Sequence, residues 1–264
     1  MASNNKKKVG PAGSGRTGQP ERTDLIWGIH PVMELLQSAP DRIIELRILK
    51  ATHTKVKDLV ELADRQGVSW HLAESPFSGT PEQATVQGVQ ARTKPVATVS
   101  MAEVIAARRE GTGPALVLAL DTIQDPHNFG AMIRSASAAG ALAILYTKDR
   151  SAPLSGTVAK VSVGAIAHLP LCPVTNMAAA LQQLKDSGFW VFGADGSADK
   201  TIYEVDFSGP VCLVIGGERS GIRPLVKKQC DFLVSIPMRS DVDSLNASVA
   251  AAVIMFEIVR QQGS

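Results

Sequence analysis

Six short apolar runs succeed one another after residue 114: ALVLAL, LAILYT, HLPLCPV, FWVFGAD, VCLVIGG and FLVSIP. They are too continuously apolar for strands with one face in water, and polar or Gly-rich loops and helical patterns alternate with them. NMAAALQQLKDSG is one such helix, with Met177, Ala180, Leu181 and Leu184 in register on a single stripe. Strands buried on both faces need helices above and below, so this part of the chain is expected to form a mostly parallel α/β sheet. Open sheets of that kind bind ligands beyond the carboxyl ends of their strands. The unusual residues of this sequence fall there, at Asp125 to Asn128, Ala194 to Gly196, Gly216 to Glu218 and Ile236 to Asn246.

Residues 24–95 read as a smaller α/β unit. IWGIHPVMELLQS is expected to be a helix opened by Pro31, and IIELRILK a strand. THTKVKDLVELADRQG places Val56, Leu59, Val60 and Ala63 on one helical stripe stopped by Gly67, and VSWHLA and ATVQGVQAR supply further strands. A short helix and a Gly/Pro-rich end make residues 96–113 a linker, leaving 114–264 as the larger domain. Two domains suit a chain of 264 residues. Residues 1–23 are expected to be a disordered basic tail, with five Lys and Arg against one acid. Beyond the tail, acids slightly outnumber bases, so a net charge of +2 does not by itself establish a nucleic-acid partner. No apolar segment follows the first lysines, so a secretory signal is not expected, and no apolar run approaches the roughly 20 residues that span a bilayer. Cys172, Cys212 and Cys230 lack metal-ligand spacing and read as reduced, mostly buried thiols of a cytoplasmic protein.

Three stretches carry the chemical interest. In DTIQDPHNFGAMIRSASAAG, Asn128 stands at a candidate N-cap and Gly140 at a candidate left-handed C′ position. Arg134 between them is the single charge of a helix otherwise built from small and apolar residues, free either to face solvent or to serve a site. GGERSG after VCLVI puts a Gly pair and Glu218 at a strand end, which suits a ligand loop or a tight turn before a helix opened by Pro224. In SIPMRSDVDSLNASVAAAV, Ser244, Asn246 and Ser248 crowd a helix start that needs only one N-cap. His127 and His168, the latter in an apolar strand, have no partners at ligand or triad spacing, and no metal site is expected. A G-x-G-x-x-G turn, a Walker loop and a G-x-S-x-G elbow are all absent, which argues against a dinucleotide enzyme, a P-loop protein and a serine hydrolase.

DPHNFGAMIRSASAAG, LVIGGERSG and SIPMRSDVDSLNASVAAAV, in that order, resemble the three signature motifs of the SpoU-type (TrmH-like) RNA 2′-O-ribose methyltransferases of the SPOUT class. IWGIHPVMELL and VQGVQAR are similar to the L30e-like substrate-binding domain that precedes the catalytic domain in the members acting on guanosine of bacterial 23S ribosomal RNA. The resemblance implies a SPOUT catalytic domain with a C-terminal trefoil knot, S-adenosylmethionine as cofactor, and a homodimer in which two copies complete each site. It implies catalytic roles for Arg134, Asn128, Glu218, Ser244 and Asn246. Gly216, Ile236 and Leu245 match positions that hold the cofactor largely through backbone, and Ala194, Gly196, Gly217 and Met238 lie in the same loops. On this reading Arg134 stabilises charge at the ribose 2′-hydroxyl and adjacent phosphate, Glu218 is its carboxylate partner, and no metal is needed. Val86, Arg239-Ser240 and Ala247 depart from the residues usual in the family. 23S ribosomal RNA is the first substrate implied and transfer RNA the second. A catalytically silent RNA-binding or assembly factor on the same fold is the alternative that cofactor binding would separate.

Overall fold

The computed structural model describes residues 24–50, 52, 56–76, 87–110, 115–154, 156–162, 165–218, 220–239 and 244–263. The expectations for the tail, Val86 and Ser240 lie outside these residues.

A four-stranded sheet is formed by β1 (Asp24–Trp27), β2 (Ile43–Leu49), β3 (Trp70–Ala73) and β4 (Val89–Thr93) in the order β1-β4-β2-β3. β4 runs antiparallel to both of its neighbours, and β2 and β3 are parallel. Helices α1 (Ile29–Ser38) and α2 (Lys57–Arg65) cover one face, burying Val32, Leu35, Leu36, Leu59 and Ala63 with Leu46, Ile48, Val89 and Ala91 of the sheet. Ile26 and Trp27 belong to a strand rather than to the expected helix, because Gly28 at φ +99° turns the chain between the two elements. Pro31 is then the third helical residue, still within the first turn, where no backbone N–H has an intrahelical acceptor to lose.

The second sheet has the order β10-β8-β9-β5-β6-β7, and all its pairings are parallel. Its strands are β5 (Leu116–Asp121), β6 (Ala143–Thr147), β7 (Leu171–Val174), β8 (Trp190–Ala194), β9 (Val211–Gly216) and β10 (Phe232–Val234). Around it lie α3 (Met101–Glu110), α4 (Pro126–Ala138), α5 (Gly156–Val161), α6 (Met177–Asp186), α7 (Pro224–Lys227) and α8 (Ala247–Gln262). Helices on both faces explain the continuous apolar runs: Leu118 and Leu120 join Phe129, Met132, Ile254 and Met255 on one side, while Val117 and Ala119 join Leu181 and Leu184 on the other. The two units touch through α1 and α5. His168 is exposed after a 3-10 turn, Ala165–Ala167, and not in a strand as expected; Pro170, which has no N–H to give a ladder, precedes the first residue of β7.

The chain winds outward from β5 through β6 to β7, then returns to the other side of β5 to place β8, β9 and β10. β5 and β9 are therefore the pair at which the winding reverses, and the crevice beyond their carboxyl ends is where such a sheet binds ligands. The loop after β5 enters α4 with Asp125 as N-cap, its carboxylate accepting from the His127 N–H at 3.0 Å, and Pro126 as first helical residue. Asn128 is thus not the cap: it lies within the helix and is buried. At the other end Gly140, at φ +69°, closes the helix as expected, with Ala141 N–H bonded to Ala136 O and Gly140 N–H to Ser137 O.

Thr122, just after β5, holds φ +65°. A β-branched residue in the left-handed region costs about 1–3 kcal/mol, whereas a glycine there costs about 0.5–1 kcal/mol of unfolded-state entropy. Thr122→Gly is accordingly expected to stabilise the protein by about 1 kcal/mol, read as a rise of about 2–4 °C in melting temperature. A fall in melting temperature would show that the threonine side chain contributes more than its backbone costs.

Candidate active site

Three loops converge at the β5–β9 crevice and are tied together by one side-chain triangle. Asn128, buried in the first turn of α4, donates from Nδ2 to Glu218 Oε1 in the loop after β9. Its Oδ1 accepts from Asn246 Nδ2 at 3.0 Å, and the same Asn246 amide lies 3.4 Å from Glu218 Oε1. Asn246 is the N-cap of α8: its Oδ1 accepts from the Ser248 and Val249 N–H groups at 2.9 and 3.4 Å and from the Ser248 hydroxyl at 2.6 Å. Of the three polar residues that crowd this helix start, one therefore caps it, one braces the cap, and Ser244 stays exposed. A side chain that must cap a helix with its oxygen presents its amide in one direction only, so Asn246 is fixed before any ligand arrives.

Beneath the triangle, Asp121 at the end of β5 is fully buried and binds Arg223 three times: to its backbone N–H at 2.9 Å, to Nε at 2.8 Å and to Nη2 at 2.5 Å. This pair was not singled out by the sequence reading. Its signal was a lone carboxylate ending an otherwise apolar strand, since a buried charge needs a partner somewhere.

A cavity of about 630 Å³ opens on one side of Glu218. Ala194, Gly196, Gly216, Gly217, Ile236, Met238, Ser244 and Leu245 all line it together with Glu218 and Asn246, so the loops after β8, β9 and β10 do meet. Gly216 is glycine for an internal reason: a Cβ there would lie 2.1–2.3 Å from the backbone of Gly221 and Ile222, because the GGERSG loop folds back on itself through Gly221 N–H to Gly217 O. At Gly196 nothing lies within 4 Å of an added Cβ, so that loop leaves its space open. Asp195 on the same wall pairs with Lys227; that hydrogen bond, with those from Ser197, holds its carboxyl down at about 2. A second cavity, of about 610 Å³, lies on the other side of Glu218 and Asn128 and is bounded by Thr122, Asp125, Arg150 and Arg223. Glu218, Gly217 and Ser220 form the wall common to both.

Arg134 does not join the triangle. It is exposed, about 120° around and about 9 Å along the axis of α4 from Asn128, and makes no hydrogen bond or ion pair with the described residues. The carboxylate expected to pair with it, Glu218, is engaged by the two asparagines instead. His127 is exposed and, among the described residues, no group of His, Cys, Asp and Glu is placed to hold a metal ion. Burial pushes the Cys172 thiol up to about 11 and Cys230 up to about 12, and raises Cys212 as well, so none is a thiolate nucleophile at neutral pH. On α8, Val249, Val253 and Phe256 form an exposed apolar stripe.

Residues 115–256 match the SpoU rRNA Methylase family, and residues 25–99 match the RNA 2'-O ribose methyltransferase substrate binding domain. The chain belongs to the SpoU rRNA methylase family. This SpoU methylase is 42% identical over 242 residues to the 23S rRNA (guanosine-2'-O-)-methyltransferase RlmB of Pseudomonas aeruginosa, covering 90% of this chain and 97% of that one. It is 40% identical over 245 residues to RlmB of Escherichia coli K12, covering 91% and 99%. In fold it is similar to the crystal structure of the SpoU methyltransferase AviRb from Streptomyces viridochromogenes in complex with AdoMet, with a TM-score of 0.68 at 24% identity over 92% of this chain and 91% of that one. Among the described residues, no helix is long and apolar enough to cross a membrane.

Proposed function

We propose that this chain transfers a methyl group from S-adenosylmethionine to the ribose 2′-hydroxyl of a guanosine in 23S ribosomal RNA. The observation that carries the reading is the triangle of Asn128, Glu218 and Asn246 at the wall between two cavities, in a chain alignable over nearly the whole length of 23S rRNA guanosine methyltransferases.

The first cavity fits the cofactor. Its volume lies within the roughly 300–1,000 Å³ of small-molecule pockets, and its lining mixes apolar residues such as Ile215, Val234 and Ile254 with a few polar ones. Gly216, Ile236 and Leu245 would hold the cofactor largely through main chain, with Ala194, Gly196, Gly217 and Met238 lining the same cavity. S-adenosylmethionine supplies an electrophilic methyl group on a sulfonium. Asn128, Glu218 and Asn246 keep the two cavities in fixed register, with Ser244 beside them, so that donor and acceptor meet in line. Arg134 stabilises the developing alkoxide and the neighbouring phosphate. A guanidinium offers five N–H donors and no lone pair to take a proton, so this is electrostatic work, and the hydroxyl proton passes to solvent.

Arg134 is remote from the triangle on its own chain, and α8 leaves Val249, Val253 and Phe256 uncovered. Both features support a homodimer in which each copy lends Arg134 to the other's site. Residues 24–95 are read as the RNA-selecting unit, 96–113 as the linker and 114–264 as the catalytic, knotted domain, at work in the cytoplasm.

The test is to map 2′-O-methyl groups in ribosomal and transfer RNA from a strain lacking the gene. One guanosine of 23S ribosomal RNA should lose its methyl group and regain it on complementation. A loss confined to transfer RNA would replace the substrate, and an unchanged methylation map would leave an RNA-binding factor.

A further inference from the structure

The second cavity has no assigned occupant. Its walls are unequal in charge: Asp125 and Glu218 bring carboxylates, Arg223 is held by Asp121, and Arg150 makes no hydrogen bond or ion pair with the described residues. Arg150 is nevertheless on a fixed support. The turn that carries it follows β6 and is closed by a 2.9 Å contact between the Thr147 and Ser151 hydroxyls. Its far end is pinned to the other cavity wall by Ala152 N–H bonded to Ile123 O at 2.8 Å.

We propose that this cavity receives the target guanine and that Arg150 reads its O6/N7 edge. The inference rests on the function proposed above and extends it to the residue that selects the base. A bare phosphate would bring a further negative charge beside Asp125 and Glu218. A guanine brings none: its N1–H and N2 amino donors suit the carboxylate side, and its O6 and N7 acceptors suit a planar, five-donor guanidinium. Adenine offers an amino group where guanine offers O6, so the same arginine faces a donor and rejects it. The shared wall at Glu218 sets this base beside the cofactor cavity, as a methylated ribose requires.

The test uses the full-length protein and 23S ribosomal RNA fragments carrying guanosine, 7-deazaguanosine or adenosine at the methylated position, with single-turnover kcat/KM as readout. Wild type should prefer guanosine over 7-deazaguanosine by about tenfold, and over adenosine by more. Arg150→Ala should lose most of both preferences and Arg150→Lys should recover part, with cofactor affinity and melting temperature unchanged. If Arg150→Ala keeps the wild-type preferences, the inference fails while the methyltransferase reading stands. If instead Arg150→Ala weakens all three RNAs equally and flattens the salt dependence by about one phosphate contact, Arg150 is a backbone clamp and the base-reading role is overturned. No methylation of the guanosine fragment by wild type would remove the proposed function and this inference with it.

Discussion

Replacing Arg134 by either Lys or Ala is expected to lower the single-turnover methylation rate, at saturating RNA and cofactor, by about 10²-fold or more. That is the scale of removing one preorganised donor from a developing oxyanion. The conservative change should cost as much as the drastic one, because a point-charge ammonium cannot span a ribose oxygen and a phosphate as a planar fork does. Stability should be indifferent to both: Arg134 is exposed and bonded to none of the described residues, so its loss falls within the roughly 0.5 kcal/mol of ordinary surface substitutions. Cofactor affinity should hold as well, because the first cavity is built by the loops after β8, β9 and β10 and not by α4. An Arg134→Lys protein within threefold of wild type would return this residue to the status of a solvated surface charge.

The second large effect concerns whose arginine serves which triangle. Arg134→Ala and Glu218→Gln variants should each be nearly inactive alone. After mixing, unfolding and refolding together, they should regain about a quarter of wild-type activity, because half of the dimers are mixed and each mixed dimer has one intact site. An arginine acting within its own chain leaves every site with one defect, and mixing then restores nothing. The same interface predicts that Val253→Asp combined with Phe256→Asp yields a 27.9 kDa monomer by sedimentation. Methylation should fall with the dimer, since a lone chain holds Arg134 away from its own Asn128 and Glu218. A fully active monomer would contradict the shared site.

Much of this architecture is legible in the sequence. Continuous apolar runs such as VCLVIG can be buried only between two helical layers, and that requirement alone specifies a parallel α/β sheet and places the polar loops at one edge. Gly140 closed α4 as its missing side chain foretold, and the Ser244 to Ser248 segment was marked by having more polar residues than one cap can use. The pairings within the site were not legible. Asn128 was read as a candidate cap, yet Asp125 before Pro126 performs that task and frees Asn128 to point inward.

Glu218 was assigned to Arg134 because that was the cation in need of a partner. Choosing between a guanidinium and two amides depends on which faces of α4 and α8 turn toward the loop after β9. The buried Asp121–Arg223 pair and the open Arg150 cavity are of the same kind: they join residues 102 positions apart, or stand free, only because the winding reverses between β5 and β9. Periodicity and capping are local, acting within a few residues, so the sequence by itself determined the elements, their layers and the edge that bears the chemistry. Side-chain partnership between distant segments depends on strand order and helix rotation, and those were decided only when the whole core packed.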